Sequence, residues 1–216
     1  THMERIAKEQ EAFDYIVNLI YERCRIRLHD GKQLLIKARL GKRMRALGYE
    51  TLAEYCEFLR SRGTDDEFTQ VTDALTTNFT NFLREEEHFK FLVGTALPQL
   101  VEPGQKRFSI WSAACSSGEE PYTLSFYLSE HYPLADGFDW RIVASDISTK
   151  VLAKAKEGIY AGDRIQSIPA EWQRRYLQQG VGKWSGHFRI KPALSRRIDF
   201  RQINLIAAYT HSDQFP

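Results

Sequence analysis

A chain of 216 residues is long enough to bury a sizeable core in one or two domains. Its 43% apolar and 27% charged residues exclude a disordered chain, and no apolar run approaches the roughly 18 residues of a membrane span, so no direct membrane insertion is expected. The net charge of +2 says little as a total, but three cysteines without a C-x-x-C exclude a disulfide scaffold and a zinc ribbon, pointing to the reducing cytoplasm and no metal site.

The leading Thr1-His2-Met3 reads as an expression scar ahead of the natural start, and no signal-peptide pattern opens the chain. Proline is absent before Pro98, so the first part reads as consecutive helices. Ile6 to about Arg27 carries Phe13, Ile16, Val17 and Ile20 at helical spacing. A second helix runs from about Lys32 to Leu47 and stops at Gly48. Between Arg23 and Arg45 the cations Arg23, Arg25, Arg27, Lys32, Lys37, Arg39, Lys42, Arg43 and Arg45 face only Asp30, which points to an acidic partner. On a helical wheel Ile36, Leu40, Met44 and Leu47 share one face, while Arg39, Lys42, Arg43 and Arg45 fall largely on the other, which predicts a solvated outer face. Thr51-x-x-Glu54 and Thr64-x-x-Glu67 are capping-box patterns that open a third and a fourth helix on either side of Gly63. Residues 4–85 are thus expected as a helical domain, followed by a linker over 86–105.

After Glu102-Pro-Gly104 the period changes. Phe108–Trp111 predicts a strand, Pro121 to about His131 a helix, Trp140–Ser145 a strand ending at Asp146, and Thr149–Glu157 a helix. That alternation predicts parallel βαβ units. His187–Lys191 and Ile198–Ile203 read as two further strands, loosened from the rest by Gly180, Gly182 and Gly186.

The first strand-to-helix connection is WSAACSSGEEPY, residues 111–122. Such a turn usually cradles a phosphate with backbone N–H groups. Here it has one glycine, Gly118, and two carboxylates, Glu119 and Glu120. Two like charges about 4 Å apart repel by several kcal/mol at an effective dielectric of about 20, so a phosphate is disfavoured and a cation preferred. S-adenosylmethionine, with a sulfonium, an ammonium and no phosphate, fits. Asp146 at the tip of the second strand is placed to take both hydroxyls of a ribose. The plainer readings are dipole-serving acids for Glu119 and Glu120, and a helix N-cap for Asp146.

LTTNFTNFLREEEHF (75–89), IWSAACSSGEEPYTL, VASDISTKVLAKAKEGIY (143–160) and RQINL (201–205) together resemble the CheR family, the S-adenosylmethionine-dependent protein-glutamate methyltransferases of bacterial chemotaxis. The resemblance implies an α/β protein: an all-helical N-terminal domain, then a Rossmann-like methyltransferase domain over 106–216. It further implies a small antiparallel β-subdomain around 180–200, and Trp184–Arg197 lies where some members hold a receptor's C-terminal peptide. Carried across by motif, Asn78, Thr80 and Arg84 belong to the block that closes over the cofactor. Glu120 would receive the methionyl ammonium, with Glu119 left open as its rival, Asp146 the ribose hydroxyls, and Asn204 with Leu205 the adenine side. Arg84 would also hold the substrate carboxylate as the catalytic residue. The basic helix, through Arg39, Lys42, Arg43 and Arg45, would meet the acidic methylation region in the cytoplasmic domain of a methyl-accepting chemoreceptor.

The family pattern continues past Asp213-Gln-Phe-Pro216 into a strand with an Arg-Asn pair, so the chain is expected to be shortened within its catalytic domain. Two other functions compete. One is a non-catalytic module that binds S-adenosylmethionine or S-adenosylhomocysteine, or docks to a receptor. The other is a nucleic-acid methyltransferase, ranked last because the basic helix lacks the interleaved aromatics of single-strand readers.

Overall fold

A computed structural model describes residues 2–28 and 31–206. Four helices come first: α1 (His2–Cys24), α2 (Gln33–Leu47), α3 (Leu52–Arg62) and α4 (Asp65–Leu75). Their shared core includes Phe13, Ile16, Ile20, Leu40, Tyr55, Leu59, Val71 and Leu75, all buried, as the helical spacing requires. Helix α1 ends earlier than expected, because Arg25 adopts a positive φ of 56° and breaks the helix. Helix α2 ends as expected, with Gly48 left-handed at φ 81°. Its apolar face closes at Met44, since Leu47 is exposed.

The two capping boxes differ. At α3 the box is complete: Glu54 N–H donates to Thr51 Oγ1 at 3.2 Å, and Thr51 N–H donates to Glu54 Oε2 at 3.0 Å. At α4 Thr64 accepts from Glu67 N–H at 3.2 Å, but the Glu67 carboxylate does not turn back. It accepts instead from Tyr55 Oη at 2.5 Å and from the Arg43 guanidinium. A buried carboxylate gains more from a cation than from a peptide N–H.

Residues 86–100, expected as linker, are helical: α5 (Glu86–Phe91), a wide π-helical turn (Leu92–Ala96) and α6 (Leu97–Leu100). Pro98 has no N–H to offer the carbonyl four residues back, and the helix widens just ahead of it.

The parallel sheet orders β1 (Arg107–Ala113), β2 (Asp139–Asp146) and β6 (Ile198–Gln202), with β2 central. Arg107 pairs with Asp139, Ala113 with Ser145, and Asp146 with Gln202. The crossovers contain α7 (Glu119–His131) and α8 (Thr149–Glu157). Helix α7 is buried almost without a break from Pro121 to Leu128, so its apolar residues surround it rather than forming a stripe. The remaining strands and α-helices are β3 (Ile159–Ala161), α9 (Ala170–Tyr176), β4 (Leu177–Gln179), β5 (His187–Ile190) and α10 (Pro192–Ser195).

The two late strands do not belong together. β5 is the middle of a second, antiparallel sheet ordered β3-β5-β4, whereas β6 joins the parallel sheet. The antiparallel subdomain therefore takes its strands from 159–190 rather than 180–200. β3 and β4 are three residues each, too short to show an alternation.

The chain divides into two compact units. One runs to Thr77 and takes in Asn204, and the other covers Asn78–Ile203. The 78–84 block, expected in the helical domain, is thus part of the second unit. Among the described residues no helix is long and apolar enough to cross a membrane.

Candidate functional site

The loop between β1 and α7 is tightly wound. Ala114, Ser116 and Gly118 alternate through positive φ values of 62°, 50° and 96°. Left-handed backbone at Ala114 and Ser116 costs roughly 1–2 kcal/mol each, so the surroundings must hold the loop in this form. They do so by using its N–H groups. Cys115 N–H donates to Ser145 O at 2.8 Å, Gly118 N–H to Cys115 O at 3.1 Å, and Ser116 N–H to Asp146 Oδ2 at 2.8 Å. Three loop donors that could meet a phosphate are thus engaged, one of them by a carboxylate. Gly118 cannot be replaced without strain, because a Cβ there would sit 2.9 Å from both Ala155 Cβ and Tyr160 Oη.

Asp146 is buried and ties the two strand ends together. Its Oδ2 holds Ser116, and its Oδ1 accepts from Ser148 N–H at 2.9 Å. The N-cap of α8 is not Asp146 but Ser148, which accepts from Val151 N–H at 3.4 Å. Each Asp146 oxygen retains a second lone pair for a hydroxyl donor.

The two loop glutamates have different fates. Glu119 is 1% exposed, accepts from Ser117 Oγ at 2.6 Å and forms an ion pair with Arg164. Glu120 is exposed, and its described partner is Ser112 Oγ at 2.6 Å, on β1. A cationic ligand therefore finds an available carboxylate at Glu120 and a neutralised one at Glu119. Cys115 lies beside them, but burial pushes its thiol up to about 12, so it is protonated and no nucleophile. Burial, and then the neighbouring Glu119 charge, holds Tyr160 well above the ordinary phenol range, so its hydroxyl stays a donor. It donates to Ser117 O at 2.7 Å.

The 78–84 block is laid against this loop. Ser116 Oγ donates to Asn78 O at 3.2 Å, Thr123 Oγ1 accepts from Leu83 N–H at 3.2 Å, and Arg164 Nη2 donates to Thr80 O at 2.7 Å. Thr80 is buried, while Arg84 is exposed between the left-handed residues Leu83 and Glu85. The Arg84 guanidinium donates to Phe79 O at 3.0 Å and lies 5.6 Å from the centre of the exposed Phe79 ring. Asn204 follows Ile203, whose N–H donates to Asp146 O at 3.0 Å. Its side-chain amide donates to Arg23 O at 2.7 Å, and it groups with the helical unit. Leu205 is half exposed.

The basic helix departs from the wheel. Arg39 Nη1 donates to Leu75 O at 3.2 Å and Thr76 O at 3.3 Å, meeting the carbonyls at the end of α4. Arg43 forms a fork on Glu67, with Nε to Oε1 at 3.0 Å. Both are half-buried inside the helical unit rather than on an outer face; Lys42 and Arg45 are exposed. The wheel places a residue by angle alone and cannot see that α4 approaches from that side.

Sequence reasoning missed Arg164, Tyr160, Ser112 and Ser116. The serines lie in or beside the loop and could have been read as local donors. Arg164 lies 45 residues from Glu119, and no short-range pattern links them.

Comparison with known proteins gives two matches that together cover most of the chain. Residues 11–76 match the family described as CheR methyltransferase, all-alpha domain, and residues 78–216 match CheR methyltransferase, SAM binding domain. The chain is 36% identical over 204 residues to the chemotaxis protein methyltransferase of Escherichia coli K12, covering 94% of this chain and 69% of that protein. It is 36% identical over 196 residues to the chemotaxis protein methyltransferase of Borreliella burgdorferi, covering 88% and 68%. It is 38% identical over 202 residues to chemotaxis protein methyltransferase 2 of Pseudomonas aeruginosa, covering 92% and 69%.

Proposed function

Because this chain belongs to the CheR methyltransferase family and is an S-adenosylmethionine-dependent methyltransferase of chemotaxis, we propose that it esterifies glutamate side chains in the cytoplasmic domain of a chemoreceptor. The observation that carries this reading to residues is Glu120. Its carboxylate is exposed beside a loop in which the Cys115, Ser116 and Gly118 N–H groups are engaged, so the site suits a cation better than a phosphate. The donor set therefore fits the cofactor's chemistry.

Glu120 holds the methionyl ammonium, and the free lone pairs of Asp146 accept from the ribose hydroxyls. Asn78 and Thr80 line the block that closes over the cofactor. Bound S-adenosylmethionine supplies a sulfonium methyl, whose transfer to a carboxylate oxygen leaves S-adenosylhomocysteine. A substrate glutamate, with pKa about 4.3, is ionised at neutral pH, so the protein needs no strong general base. Its task is alignment. Arg84 is exposed and has donors left after its bond to Phe79 O, and it holds the substrate carboxylate by charge-assisted hydrogen bonds. On α2 the outward cations Lys42 and Arg45 meet the acidic receptor surface, while Arg39 and Arg43 support the helix from within. The substrate lies in the cytoplasm, and there we place the protein.

Calorimetry with S-adenosylhomocysteine, followed by labelled-methyl transfer to receptor-bearing membranes, tests this. Binding with transfer of an alkali-labile label is expected, since carboxyl methyl esters hydrolyse in mild base. No cofactor binding, or an alkali-stable label, would refute the assignment.

A further inference from the structure

The segment that begins at β3 lies in the small antiparallel subdomain, yet its side chains reach the candidate cofactor site repeatedly. Tyr160 Oη donates to Ser117 O at 2.7 Å, and Ser167 Oγ donates to Phe82 O at 3.1 Å. Arg164 touches both pieces of the site at once. Its guanidinium donates to Thr80 O at 2.7 Å, in the 78–84 block, and pairs with Glu119 in the first turn of α7.

Glu119 is 1% exposed, and an ionised carboxylate at that depth needs a counterion. Arg164 supplies it from a side chain 41% exposed, and Ser117 Oγ satisfies the other oxygen at 2.6 Å. Glu119 immediately precedes Glu120 in the same helical turn. Whatever fixes Glu119 therefore fixes the direction in which Glu120 projects. Both bonds leave from the same terminal nitrogen, Nη2, so one NH2 group at the end of a long side chain serves a carboxylate and a peptide carbonyl together.

We propose that Arg164 is a positioning residue for the cofactor: by bridging Glu119 and the Thr80 carbonyl it locks the first turn of α7 to the 78–84 block and sets how tightly S-adenosylmethionine is held. This rests on the reading of Glu120 and the loop as the cofactor seat.

The test uses wild type, Arg164→Ala and Arg164→Lys, each titrated with S-adenosylhomocysteine by calorimetry and melted thermally. Calorimetry separates the fraction of molecules competent to bind from the affinity of each, and a purely structural role moves the first and leaves the second. Arg164→Ala is expected to raise Kd by about tenfold or more, the scale of a hydrogen bond to a charged group. Arg164→Lys keeps a positive charge near Glu119, but its stem is one bond shorter and its ammonium falls short of the point where Nη2 meets both acceptors, so its melting approaches that of wild type while Kd stays roughly fivefold weaker. If wild type binds and the lysine variant binds within about twofold of it, Arg164 only supports the fold and the inference fails alone. If wild type does not bind, the cofactor seat itself is wrongly placed and the inference falls with it.

Discussion

Glu120→Gln removes a charge while keeping shape and hydrogen-bonding capacity, and should weaken cofactor binding without unfolding the protein. Glu120 is exposed and touches Ser112, which is buried. An ammonium about 4 Å from a carboxylate is attracted by about 1 kcal/mol in bulk water and about 4 kcal/mol at an effective dielectric of 20. A half-open site lies between these limits, at about 1–3 kcal/mol, or about 5–150-fold in Kd. Glu119→Gln is the control. Its amide oxygen can still accept from Arg164, so Kd should change by less than about fivefold. The loss of the buried ion pair should instead lower the melting temperature, by the equivalent of about 1–2 kcal/mol. Calorimetry with S-adenosylhomocysteine and thermal melts on both variants give the comparison. A larger loss of affinity for Glu119→Gln, at unchanged melting temperature, would falsify the assignment of the cation to Glu120.

Gly118→Ala forces a side chain onto a φ of 96° and to within 2.9 Å of Ala155 Cβ and Tyr160 Oη; a destabilisation of about 2 kcal/mol or more is expected, and an unshifted melt would show that the loop can rewind. Arg43 holds the Glu67 carboxyl below its usual range against the opposing effect of burial. Because the folded value is depressed, this contribution is complete above the unfolded carboxylate pKa of about 4.3 and is lost as pH falls through the folded value. Wild-type melting temperature should therefore fall more steeply below about pH 4 than that of Glu67→Gln, and parallel pH profiles would remove Glu67 as the cause. Reversing Lys42 and Arg45 to Glu should reduce methyl transfer to receptor membranes while leaving cofactor binding intact. Arg43→Glu should instead unfold the helical unit, since it sets two carboxylates against each other in a buried place; a stable, cofactor-binding Arg43→Glu protein would return that residue to the outer face.

Much of the site can be read along the chain. The single glycine, the paired glutamates and the strand-tip Asp146 lie within two short stretches, and their charge alone argues against a phosphate. The ranking of Glu119 against Glu120 could not be read that way. It depends on Arg164, which is brought to Glu119 by the turns after β3. The 78–84 block shows the same division. Its apolar and polar residues gave no sign of which unit they joined, and the backbone carbonyls of Asn78, Thr80 and Phe82 decide it by accepting from Ser116, Arg164 and Ser167.

The sequence by itself determined the features whose causes lie within a turn or two of helix or one strand. Among these are the Gly48 stop, the Thr51 cap, the span of α8 and the βα alternation of the parallel sheet. Only the tertiary structure decided that Glu67 abandons its capping box for Arg43, that β5 and β6 enter different sheets, and that Glu119 is neutralised while Glu120 stays available. Backbone periodicity and caps are encoded by near neighbours. Strand pairing and the neutralisation of a buried charge are settled between residues far apart in the chain, by burial that makes an unpaired polar group too costly to leave.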